Sequence, residues 1–96
     1  MVGVLVHFES KPDQVAEVEG LLRALAAQVQ GEESTIAWFG FRLGPSTFGV
    51  LHAFADDAGR EAHMRQAGEA MGATASELFS AAPVVDYVDI VTAVPA

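Results

Sequence analysis

Apolar residues fall in six blocks along the chain, and their spacing switches between the two-residue period of strands and the 3.6-residue period of helices. Val2 to Phe8 is a β-rich apolar run and predicts a first strand. Ser10-Lys-Pro-Asp breaks it, and from Val15 onward Val18, Leu22, Leu25 and Val29 recur at three- and four-residue steps. That stripe predicts an amphipathic helix of about four turns, with Gly31 as its C-cap. A second strand runs from about Ser34 to Leu43, and Gly44-Pro-Ser turns it into a third, Thr47 to Phe54. Acidic Asp56 and Asp57 open a second helix reaching about Phe79, in which Gly68 and Gly72 are weak points. Pro83 ends that block, and Val84 to Val94 predicts a last strand. The order βαββαβ is the split arrangement of a ferredoxin-like α+β protomer, an antiparallel sheet with its helices on one face. Residues 1–96 form a single domain without repeats or linkers.

Two of these strands are apolar on both faces. Strict alternation puts Thr35, Ala37, Phe39, Phe41 and Leu43 on one side of the second strand, and Ile36, Trp38, Gly40 and Arg42 on the other. The last strand repeats the pattern apart from Asp86 and Asp89. A sheet with one wet face should alternate apolar with polar. Helices cover one side, so the other is expected to meet a second copy of the chain. Composition agrees: 51% of residues are apolar, more than a 96-residue domain buries by itself.

Charge and residue inventory exclude several classes of function. Five Lys+Arg stand against thirteen Asp+Glu, a net charge of −8 that repels nucleic acid and anionic lipid. No apolar run is long enough to span a membrane, and no segment reads as a signal peptide. With no cysteine there is no disulfide or thiolate chemistry, which fits a cytoplasmic protein. Phosphate-binding glycine loops, His-Glu-x-x-His and paired-cysteine metal motifs are absent, and the expectation is a protein with neither a bound metal nor another cofactor.

Candidate chemistry rests on few side chains. His63 lies inside the second helix, where it is either a hydrogen-bonded core histidine or an acid/base group between helix and sheet. His7 and His52 sit in apolar strands, each a candidate for substrate contact or a satisfied polar group at an edge or interface. Trp38 and Arg42 share a face: the indole could stack on an aromatic ring, and the guanidinium could hold an anion or pair with Asp86 or Glu9. Phe39 and the other phenylalanines are core first. Small residues among them, such as Gly40, Gly49 and Ala53, leave room for an aromatic-lined cavity. Arg60 and Arg65 read as solvated charges.

These residues together resemble a known family. Trp38-Phe39-x-x-Arg42, Thr47-Phe48, Phe54-x-Asp56, Gly59-Arg60-x-Ala62-His63 and Leu78-Phe79-x-x-x-Pro83 with Asp89 are similar to the antibiotic biosynthesis monooxygenase domain, across nearly the whole chain. The resemblance implies a homodimeric α/β barrel with a pocket between sheet and helices. It implies cofactor-independent oxidation of a phenol, quinol or polyketide-like aromatic by molecular oxygen. On that basis His63 is the candidate catalytic residue, and Trp38, Arg42, His52, His7 and Phe39 are the candidate substrate-binding residues. The chain has no asparagine, the residue that haem-degrading relatives place on their first strand, which counts against haem breakdown. A non-catalytic ligand-binding protein and a non-oxidative isomerase or cyclase are the alternative readings of the same barrel.

Overall fold

The computed structural model describes residues 1–95, apart from the side chains at positions 69, 70 and 73. The elements are β1 (Val2–Glu9), α1 (Val15–Val29), β2 (Thr35–Arg42), β3 (Thr47–Phe54), α2 (Asp57–Leu78) and β4 (Val84–Asp89). Neighbouring strands are antiparallel in the order β2-β3-β1-β4. Both helices lie on one face, giving the ferredoxin-like α+β fold that the pattern predicts.

The register places Val4, Val6 and Phe8 of β1 beside His52, Val50 and Phe48 of β3, on the helix side. The core there joins Phe8, Phe48, Val50 and Phe79 to Val18 and Leu22 of α1. Phe8 stacks near Phe48 and tilts against Phe79, with ring centroids 6.2 and 4.9 Å apart. The α1 stripe is the predicted one, with Val18, Leu22 and Val29 buried. Helix α2 stays continuous through Gly68 and Gly72, and Asp56 caps it by accepting a hydrogen bond from the Gly59 N–H at 2.8 Å.

Three local expectations are corrected. Gln30, not Gly31, is the C-cap of α1 and keeps helical angles (φ −57°, ψ −29°). A tight turn follows, in which the Glu32 N–H donates to the Val29 carbonyl and the Thr35 N–H to the Glu32 carbonyl. Strand β2 begins with a bulge at Ile36: Thr35 pairs with Phe54, while Ala37 pairs with the adjacent Ala53. One extra residue moves Thr35 to the helix side, off the face that strict alternation assigns it. Strand β4 stops at Asp89 because its partner runs out; Asp89 lies opposite Val2, and the Ile90 N–H closes the ladder on the Met1 carbonyl. Val91 and Val94 have no strand beside them and are almost fully exposed.

The side of the sheet away from the helices is largely apolar, with Asp86 of β4 beside Leu5. Phe39, Leu51 and Leu5 form one row across β2, β3 and β1, and Phe41, Gly49, His7 and Val84 form the next. Phe39, Leu43 and Val84 are 60%, 59% and 57% exposed in the single chain. Glu9 stands at one end of this face, where its carboxylate accepts from the Ser46 and Thr47 hydroxyls. Those hydrogen bonds hold its pKa below the usual carboxylate value.

Candidate functional site

Glu32, Thr35, His52 and His63 meet at the end of the sheet where the α1–β2 turn approaches the first half of α2. The bulge turns Thr35 inward, and α2 comes close because residue 59 is glycine. A Cβ there would lie 2.6 Å from the Ser34 Cβ. One turn further along α2, His63 reaches the turn: its Nδ1 lies 3.0 and 3.1 Å from the two carboxylate oxygens of Glu32. The Thr35 hydroxyl donates to Glu32 Oε2 at 3.0 Å, and its oxygen lies 2.8 Å from His52 Nε2.

Hydrogen-bond accounting gives a set of protons consistent with this network. A hydroxyl has one hydrogen, and with that hydrogen on Glu32 the Thr35 oxygen accepts from His52 Nε2–H. The Glu32 carboxylate likewise accepts from Nδ1–H of His63 in the tautomer that places the lone pair on Nε2. Only 3% of His52 is exposed; its ring stacks on Phe54 at 4.0 Å and meets the His63 ring edge-on at 4.5 Å. Burial first, and the neighbouring His63 second, push its pKa down from 6.5 to about 4, against a smaller opposing pull from Glu32. His52 is therefore a neutral imidazole over the working range of most proteins.

That shift makes stability depend on acidity. The unfolded chain binds a proton at His52 below about pH 6.5, whereas the folded chain resists until about pH 4. Stability from this group is full above pH 6.5 and falls as pH drops through that window, by roughly 3 kcal/mol in all. Urea midpoints measured from pH 7 to pH 4 are expected to drop accordingly, with a shallower drop in His52→Phe.

The other candidates are dispersed. Trp38 faces the helices, its ring lying over Gly40, where a Cβ would come within 3.0 Å of Cη2. Two open clefts flank it. One, of about 270 Å³, runs past Leu22, Gly40 and Arg42; the other, of about 330 Å³, is bordered by Val29, Glu32, Thr35 and Ile36. Both clefts are open to solvent, and the gaps at Gly40 and Gly49 are filled by the rings of Trp38 and Phe41. Arg42 pairs with Glu19 of α1 instead of Asp86 or Glu9, and lies 5.1 Å from the Phe48 ring centroid. His7 and Phe39 lie on the opposite side of the sheet from His63. Arg60 is not a solvated charge: it donates to the Gly3 and Val88 carbonyls, pairs with Asp57 and sits over Tyr87. Glu32 and Thr35 have no sequence signal, since both reach the site only through the tight turn and the bulge.

No protein-family model matches the chain, and no curated protein matches it. Solved structures do. A Nitrosomonas europaea protein of unknown function is 40% identical, with a TM-score of 0.89 over 96% of this chain and 90% of its own. An antibiotic biosynthesis monooxygenase-like protein from Caulobacter crescentus is 28% identical, with a TM-score of 0.75 over 95% of this chain and 90% of its own. A second such protein, from Nitrosomonas europaea, shares the fold at 15% identity, with a TM-score of 0.84 over 96% of this chain and 100% of its own. The chain belongs to the family of the 40%-identical Nitrosomonas protein, and its fold is that of the antibiotic biosynthesis monooxygenase-like proteins.

Proposed function

We propose that the chain is a homodimeric oxygenase that converts a small phenol or quinol with molecular oxygen and no cofactor of its own. The observation that carries this reading is that Glu32 borders the Trp38 cleft and also holds His63 Nδ1 at 3.0 Å. An aromatic ring lying against Trp38 is then next to a hydrogen-bonded carboxylate–imidazole pair. Magnitudes favour histidine as the final proton acceptor. Moving a proton from a phenol of pKa ~10 to an ordinary imidazole costs roughly 5 kcal/mol, against roughly 8 to an ordinary glutamate. The Glu32 carboxylate holds the His63 ring by Nδ1, which leaves Nε2 to take the proton from a substrate that extends past Glu32 to the imidazole. The electron-rich anion then reacts with oxygen; a phenol plus dioxygen balances to a para-quinone plus water, with no outside reductant. Arg42 borders the neighbouring cleft, where it pairs with Glu19.

Self-association rests on the apolar face of Leu5, Phe39, Leu51 and Val84, and on Val91 and Val94, which are almost fully exposed in the single chain. Among the described residues no helix is long and apolar enough to cross a membrane, and the cysteine-free sequence suits the cytoplasm. A second reading, a non-catalytic binding protein for a small apolar ligand, is favoured by one feature: both clefts are open, and His63 lines neither. Product analysis of a phenol and quinol panel, in air and under strict anaerobiosis, separates the readings. Oxidised product formed only in air supports the oxygenase; product formed without oxygen identifies an isomerase or cyclase, and ligand retained unchanged identifies a binding protein.

A further inference from the structure

We propose that Glu32, His52 and His63 form a binding site for one divalent transition-metal ion of the zinc class. One carboxylate oxygen and one nitrogen from each imidazole lie within 4.8 Å of one another. Two imidazoles and a carboxylate are a donor set that suits zinc and its first-row neighbours and not the hard cations magnesium and calcium. Tetrahedral ligands bound at ~2.0–2.2 Å stand ~3.3–3.5 Å apart, so the widest pair must close by roughly 1.5 Å.

The parts that must move are the ones able to. His52 is fixed, buried at 3% exposure and stacked on Phe54. Glu32 sits in the α1–β2 turn with its side chain 29% exposed, and the His63 side chain is 18% exposed. Thr35 touches both Glu32 and His52, at 3.0 and 2.8 Å. It therefore supplies the outer hydrogen bonding that orients metal ligands, or a neutral oxygen of its own. The cleft bordered by Glu32 and Thr35 gives an ion a path from solvent. The surplus of thirteen acidic over five basic residues raises the local concentration of cations. His7, the remaining histidine, is on the other face of the sheet and takes no part.

This inference concerns binding and stands whether or not the chain is an oxygenase. The two are connected in one respect. An ion on His63 and a proton acceptor at His63 exclude each other, so the ion-free chain is the form that would carry out the proposed oxidation.

Calorimetric titration of chelator-treated protein with zinc chloride tests the site, with magnesium chloride as the comparison. The expected result is one zinc ion per chain, negligible heat with magnesium, and affinity lowered roughly 100-fold or more in both Glu32→Gln and His52→Phe. Glu32→Gln keeps the shape and one acceptor oxygen of a partly exposed side chain, so a variant that still unfolds cooperatively isolates the lost ligand. No zinc uptake, or uptake undiminished in both variants, overturns the proposal and leaves these residues as a hydrogen-bonded network alone.

Discussion

Leu51→Asp is expected to abolish the proposed homodimer. Leu51 occupies the centre of the open sheet face, in register with Leu5 on one side and Phe39 on the other. Two-fold pairing through this face would bury the position in both copies, so one substitution introduces two carboxylates. Each uncompensated buried charge costs on the order of 3–5 kcal/mol. The pair then weakens association by about 10⁴-fold or more. Light scattering should give twice the 10.1 kDa chain mass for the parent protein. The variant should lose that species, leaving a less stable chain prone to aggregate through Phe39, Leu43 and Val84. A variant that remains a dimer of parental stability would place the interface elsewhere.

His63→Ala is expected to lower turnover by roughly 10² to 10⁴-fold, the usual contribution of a general base. Glu32→Gln should lower it as well, because an amide has one acceptor oxygen and holds the His63 ring less firmly, while substrate affinity changes less than turnover. The two effects should not add fully, since both substitutions disable one pair. Loss of substrate affinity with turnover intact would make the pair a wall of the cleft instead of its proton acceptor.

Most of the fold is legible in the pattern of apolar positions. The Val18, Leu22 and Val29 stripe, the β2–β3 hairpin and the Asp56 start of α2 are all encoded locally. What the pattern misses depends on one-residue events or on neighbours distant in sequence. The bulge at Ile36 reverses the side on which Thr35 lies, and strict alternation has no mark for it. Strand β4 is cut at Asp89 because β1 begins at Val2, a fact about the partner strand and not about Val91 or Val94. Arg60 is charged and helical, yet it is drawn to the carbonyls of Gly3 and Val88, far away along the chain. The candidate site was legible in half: His52 and His63 stand out as histidines in apolar or helical runs. Glu32 is one acidic residue of thirteen until the tight turn after α1 brings it beneath His63.

Oxygen uptake by chelator-treated protein across a panel of phenols and quinols tests the functional account most directly, with the parent chain and His63→Ala run side by side. The account predicts uptake that requires an aromatic substrate, yields quinone and falls at least 100-fold in the variant. No uptake across the panel, or uptake equal in the two proteins, would contradict it.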